Sequence, residues 1–239
     1  MINFNIAAWR AWAPGLDSVA DWQAWSKRPC VLAPSSAAPD VSFLPAMQRR
    51  RLSRLARMAF SVGWPLAEGH EALPLVFASR HGETPRTFEI LSDLAADQPL
   101  SPTQFSLSVH NAVIGLWSIM RGETSEMTAI AAAGDGLEHG LIEACALLNE
   151  GAPAVLLIIT EEQPPEAYAH CVDDVPFAYA VGLLLTPGDQ WQVSLASGTA
   201  SSEQAQWPHA LNLLRHLPDE QASFQHTWKN RVWNWQRRL

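Results

Sequence analysis

Residues 101–122 read Ser-Pro-Thr-Gln-Phe-Ser-Leu-Ser-Val-His-Asn-Ala-Val-Ile-Gly-Leu-Trp-Ser-Ile-Met-Arg-Gly. After a polar turn, residues 127–136 continue Met-Thr-Ala-Ile-Ala-Ala-Ala-Gly-Asp-Gly. Leu137 to Asn149 follows, then Glu150-Gly151 and the run Ala154-Val-Leu-Leu-Ile-Ile-Thr160 before Glu161. Ser101 is placed to cap a helix, with Pro102 at its first position and Gln104 three residues on in a capping box. Helical spacing resumes from Asn111 to Met120. Met127–Ala133 predicts a strand, Leu137–Asn149 a helix and Ala154–Thr160 a β-branched strand. Strands alternating with helices predict an α/β layered fold.

Working outward, Val181–Thr186 predicts a further strand. Leu73–Ser79 predicts a short buried strand, followed by a loop at His81-Gly82-Glu83 and a helix over Thr84–Ala96. The spacing predicts one helix over Met47–Val62, with Leu52, Leu55, Ala59 and Val62 on one face and Arg49, Arg50, Arg51, Arg54 and Arg57 crowding the rest. Residues 30–45, rich in Pro, Ser and Ala, read as a loop. Four of the eleven tryptophans (Trp207, Trp228, Trp233 and Trp235) gather near the end of the sequence.

With 239 residues, 48% hydrophobic and 17% charged, the chain is globular and long enough for one large domain or two small ones. A net charge of −8 argues against coating nucleic acid. Cys30, Cys145 and Cys171 are widely spaced, so neither a metal site nor a disulfide framework is expected, and reduced thiols in the cytoplasm fit. The start, Met-Ile-Asn-Phe-Asn-Ile, lacks the pattern of a signal peptide. The apolar runs Ala154–Ile159 and Ala178–Leu185 are too short to cross a bilayer.

The 101–161 stretch resembles the N-terminal half of the β-ketoacyl synthases of the thiolase-like fold, most clearly over residues 75–186. Asn111 matches the Asn of that family's N-x-x-x-G helix and Gly115 its glycine. Gly151 matches the glycine before the strand that follows the nucleophile helix. Ser-Val-His-Asn beside Ser-Pro-x-x-Phe is also similar to the short, chain-length-factor-like homologues of aryl polyene and related fatty acid or polyketide clusters. The resemblance implies a half-fold with a mixed β-sheet and helices on both faces. It places a ketoacyl-synthase N-terminal-like domain at residues 1–190, with a Trp-rich extension at 191–239 packing on it.

In catalytic members a cysteine opens the helix after the interface strand, where the helix N-terminus favours its thiolate. Counting back from Gly151, that position is Gly134, and no Ser, Thr or Cys stands at the turn. Asp135 and Glu138 read as a capping box that occupies the helix end with carboxylates. Glu138, His139 and Glu143 lie off the apolar stripe of this helix, as suits a helix no longer covered on all sides. Cys145 lies on the stripe and reads as core; His110 and His139 read as structural. The family's two catalytic histidines come from a second half, for which too little chain remains. His209, His216 and His226 lack the expected settings, so the catalytic roles are not carried over to them.

The resemblance therefore implies a non-enzymatic subunit without cofactor or metal. It would pair with a full-length β-ketoacyl synthase and help shape an acyl tunnel and product length. The interface would be built on Asn111, Gly115, Trp117, Met127, Ala129, Ile130 and Ala131. Arg49, Arg50 and Arg54 would offer a docking face to an acidic acyl carrier protein. The alternatives are a self-sufficient thioesterase or acyltransferase, for which no Gly-x-Ser-x-Gly elbow is present, and a stand-alone acyl-binding module.

Overall fold

A computed structural model describes residues 1–198, 207–218 and 222–238; parts of the Trp-rich extension (199–206, 219–221 and 239) lie outside the described residues. The strands are β1 (Ile2–Trp12), β2 (Leu75–Ala78), β3 (Met127–Ile130), β4 (Val155–Glu161), β5 (Tyr179–Ser197), β6 (Ser223–Trp228) and β7 (Arg231–Arg237). The helices are α1 (Val19–Lys27), α2 (Ala46–Arg49), α3 (Arg54–Leu66), α4 (Thr84–Ala95), α5 (Pro102–Ser106), α6 (Ala112–Arg121), α7 (Gly136–Asn149) and α8 (His209–His216). A 3-10 turn spans Glu166–Cys171.

The strands form one mixed sheet ordered β3-β2-β4-β5-β7-β6, with β1 also paired to β5. β2 runs parallel to β3 and β4, and the remaining pairs are antiparallel. β5 is the spine. It pairs with β4 along Tyr179–Leu185, with β7 along Trp191–Ser197, and with β1 from Ala180 to Val193.

Alternate residues of the central strands face opposite ways, as the pleat requires. Val155, Leu157 and Ile159 join α1, α7 and α8 in one apolar core, whereas Leu156 and Ile158 join α3 and α6 in the other. The mixed sheet with helices on both faces is thus the expected one, and its second core contains an aromatic cluster. Phe60, Trp64 and Trp117 meet with ring centroids 5.2–5.9 Å apart, and the Arg121 guanidinium lies over Trp64 and Trp117.

Three expectations are corrected. The Met47–Val62 helix is two helices, because Ser53 caps α3 by accepting from the Ala56 amide and the chain turns between them. The interface strand stops at Ile130 rather than Ala133. The strand at Val181–Thr186 is only part of the first half of the 19-residue β5.

Candidate functional site

The distinctive chemistry gathers at the first turn of α7. β3 ends at Ile130, a short turn follows, and α7 starts at Gly136 with Asp135 at its N-cap. Leu137, Leu141, Ala144, Cys145 and Leu148 are buried along the helix. The turn has no room for a side chain at Gly134, since a Cβ there would overlap the ring of Trp228, which arrives from β6. That ring is in turn faced by the Arg80 guanidinium, 5.5 Å from its centroid.

The expected capping box is not formed. Asp135 makes no side-chain cap, and its buried carboxylate instead accepts two hydrogen bonds from Arg231 (2.6 and 2.9 Å) and one from Trp233 Nε1 (3.1 Å). Burial opposes its ionisation; Arg231, Trp233 and His139 outweigh that cost and hold the carboxyl below the ordinary aspartate range. Glu138, expected on an uncovered face, has no solvent exposure. Its Oε2 lies 2.7 Å from His209 Nδ1; its Oε1 lies 2.5 Å from His226 Nδ1 and accepts from Trp235 Nε1 at 3.1 Å. α8 supplies His209, and the β6–β7 hairpin supplies His226 and Trp235. The C-terminal segment therefore closes over the side of α7 that the sequence leaves polar.

The partners fix the protonation pattern. Glu138 needs an Nδ1–H from each imidazole, and His209 Nε2 also faces the Thr227 carbonyl at 3.3 Å, so His209 carries protons on both nitrogens. Burial alone would raise the Glu138 pKa; the two histidines bring it down to about 2. Burial pulls His209 down and Glu138 lifts it to a net increase, while burial takes His226 to about 4. One anion, one cation and one neutral imidazole therefore share the site, with the two rings stacked 4.4 Å apart.

Glu138, His209 and His226 are also residue types that bind metal ions, and their ligand atoms lie within 4.8 Å of one another. The contacts of 2.5 and 2.7 Å nevertheless fit shared protons. Two ligands on a tetrahedral zinc, each about 2.1 Å from the ion, stand roughly 3.4 Å apart. The geometry suits a hydrogen-bonded clasp.

A small cleft opens beside the turn, bounded by Gly134, Trp228, Trp207, Arg80, Glu161 and His209 among others. Its hydroxyls are those of Ser79 and Tyr179. Ser79 Oγ donates to Glu161 (3.2 Å) and accepts from the Gly82 amide (2.9 Å), so it is held as a buried strut. Glu161 also accepts from the amides of Arg80 and His81, yet burial lifts its pKa to about 7. Asp174 pairs with Arg80 (2.5 Å) and His81 Nε2 (3.1 Å). Cys145 is buried on α7 and its thiol is raised to about 11.

The residues expected at an interface differ in exposure. Asn111, Gly115 and Ala131 are exposed; Met127, Ala129 and Ile130 are half-buried on β3, whose outer edge has no strand partner among the described residues. Trp117 is 2% exposed and belongs to the core, so it is removed from the interface set. The arginines are also separated. Arg54 donates to the carbonyls of Ser35 and Ala37 and faces Glu162 at 3.7 Å, leaving Arg49 and Arg50 near α2 without it. His110 is structural as expected, its Nε2 2.7 Å from the Ser79 carbonyl. The convergence of His209 and His226 on Glu138 was not visible in the sequence.

The profile of the β-ketoacyl synthase N-terminal domain matches residues 22–236. No curated protein matches the chain. Among solved structures, a chain from the complex of the ketosynthase ApeO with its chain length factor ApeC, from Xenorhabdus doucetiae, is 31% identical with a TM-score of 0.88; the match covers 99% of this chain and 100% of that one. The ishigamide ketosynthase/chain length factor matches with a TM-score of 0.63 at 15% identity, over 82% of this chain and 66% of that one. A beta-ketoacyl synthase from Burkholderia phymatum gives 0.61 at 12%, over 78% and 59%. The last two show the shared fold. Among the described residues no helix is long and apolar enough to cross a membrane.

Proposed function

This chain belongs to the β-ketoacyl synthase family, and from that premise we propose that it is a non-catalytic, chain-length-factor-like subunit paired with a full-length β-ketoacyl synthase. The observation that carries this reading is the turn before α7. A helix N-terminus lowers the pKa of a thiol placed on it. Here that place holds Gly134 beneath the Trp228 ring, flanked by the ionised carboxylates of Asp135 and Glu138. Cys145 offers no replacement, because burial keeps it protonated at neutral pH.

The end-to-end match to one chain of a ketosynthase–chain length factor complex supports the pairing. The partner would supply the thiolate and histidines for condensation. This chain would close one end of the partner's acyl tunnel and limit product length, in aryl polyene or related fatty acid or polyketide assembly in the cytoplasm. Asn111, Gly115 and the β3 edge at Met127–Ile130, with Ala131, are its proposed contacts, and an acyl carrier protein would visit near Arg49 and Arg50. No cofactor is required.

The test is coexpression with the full-length ketosynthases of the same genome. The chain should purify with one of them and change the length of its products, while the isolated chain should leave acyl thioesters untouched. Thioester turnover by the isolated chain would instead favour a self-sufficient enzyme.

A further inference from the structure

Residues 180–185 of β5 pair with β4 and also with β1, so those two strands flank β5 on opposite sides. β1 is thus a margin of the sheet on the side away from β3, and its outer edge has no strand partner among the described residues. From Ala8 to Trp12 the register is regular, so alternate backbone N–H and C=O groups point away from β5. The side chain that does bond to the β1 backbone, Gln190 at the Ile6 amide (3.4 Å), lies before this stretch. Open strand edges are templates for another chain, and proteins commonly blunt them with bulges or proline. The irregularities of β1 fall at Phe4/Asn5 and Ile6/Ala8, and its last four residues have neither device.

A cleft of about 680 Å³ runs along this edge. Four consecutive residues, Trp9 to Trp12, line it, which one face of a pleated strand cannot present. Its walls also come from both faces of the sheet. Trp22 of α1 belongs to the core that holds Val155 and Leu157, and Val62 of α3 to the core that holds Leu156 and Ile158. Only the margin of the sheet touches both. Residues 37–40 border the cleft as well, and Arg54 fixes that segment by donating to the carbonyls of Ser35 and Ala37.

The groups left over in the cleft define its occupant. Ser18 is engaged with Asp21, and the Asp40 carboxylate with Ser42. Trp22 is 2% exposed and its Nε1 has no acceptor, which in a buried donor calls for one. Arg10 is exposed and makes no ion pair among the described residues. Asp17 and Asp40 at the rim disfavour a strongly acidic chain, so the complement is a single carboxylate beside Arg10. Backbone donors and acceptors repeating over four residues, about 13 Å of strand, match an extended peptide rather than a compact ligand. The walls oppose pairing with the β1 of a second copy, since two recessed edges cannot meet.

We propose that the β1 edge at residues 9–12 is a docking site for an extended, largely apolar peptide segment of another protein, which adds as a strand and sets one carboxylate beside Arg10. The site lies across β5 from the β3 edge and does not depend on the ketosynthase pairing. The test uses the intact, 15N-labelled chain and the capped peptide Thr-Val-Glu-Val-Thr, its Lys-centred counterpart, and a form N-methylated along the backbone. The Glu peptide should shift the amide signals of Trp9–Trp12 and the indole N–H signal of Trp22. N-methylation should weaken binding roughly tenfold by removing ladder hydrogen bonds. Arg10→Glu, at an exposed position, should leave the melting temperature unchanged and reverse the preference between the Glu and Lys peptides. No shift at about 5 mM peptide, a range that detects even weak binding, would overturn the site. Binding indifferent to N-methylation would overturn strand addition. Self-association of the chain that slows exchange of the same amides without peptide would give the edge to a second copy and refute the proposal.

Discussion

Replacing Glu138 by Gln keeps its shape and removes its charge, leaving the His209 imidazolium buried without its anion. Glu138 ionises at about 2 in the fold against an ordinary 4.5. At about 1.4 kcal/mol per unit, that difference corresponds to roughly 3.5 kcal/mol of stability. Breaking a buried pair by removing one partner costs about 3–5 kcal/mol, in agreement. For a chain of this size the melting temperature should fall by about 10 °C. The dependence on pH is more diagnostic than the size. The lowered Glu138 pKa gives stability that is full above 4.5 and is lost as pH falls toward 2. The raised His209 pKa gives stability that is full below 6.5 and is lost as pH rises through its folded value. The gap between the two proteins should therefore be widest between about pH 4.5 and 6.5 and narrow on both sides. Urea unfolding of both proteins from pH 4 to 9 measures it. A gap below about 0.5 kcal/mol at pH 7, or one that does not vary with pH, would refute the assignment of an ion-paired clasp.

Three further outcomes follow from the same coordinates. Gly134→Cys should lower stability by about 1–3 kcal/mol through overlap with Trp228, and mass spectrometry after incubation with malonyl- or acyl-loaded carrier protein should find no adduct on it or on Cys145. Glu162 is raised to about 7, mainly by burial, so its stabilising contribution is full below 4.5 and is lost as pH rises through 7; Glu162→Gln should flatten the decline in unfolding free energy between pH 5 and 8 by roughly 3 kcal/mol. Arg54→Ala should destabilise the fold by about 1–2 kcal/mol, because it frees the 35–37 loop, whereas Arg50→Glu should leave stability within about 0.5 kcal/mol and weaken carrier-protein binding at low salt as measured by calorimetry.

Much of the middle of the fold was legible because burial there writes itself as composition. The run at 154–160 can only be an inner strand, and α4, α6 and α7 start within a residue or two of their expected positions. The ends were harder to read. In β1 the alternation is blurred by Asn3, Asn5 and Arg10, and the strand is irregular, with register shifts at Phe4/Asn5 and Ile6/Ala8. β5 passes through Pro187-Gly188, which normally signals a turn. It continues because residues 187–190 bulge out opposite Asn5, whose side chain reaches the Pro187 carbonyl and the Gln190 amide. That no Ser, Thr or Cys stands at the turn before α7 could be read from the sequence. The clasp could not, since His209 and His226 reach Glu138 only through the packing of α8 and β6, and no local spacing encodes that meeting.

The long β5 also has a consequence for how the protein is made. Ile2 pairs with Val193 and Trp12 with Ala180, while Trp191 pairs in turn with Arg237. The spine thus joins segments from the start, the middle and the end of the chain. Such distant pairings give a high contact order, so the sheet forms slowly and completes only after residues up to Arg237 have left the ribosome. Until β5 emerges, β1 lacks the strand it pairs with, and its apolar residues wait uncovered. Yield in the cell should therefore respond to chaperone supply and growth temperature, and loss of β7 should harm folding far beyond the few bonds it makes.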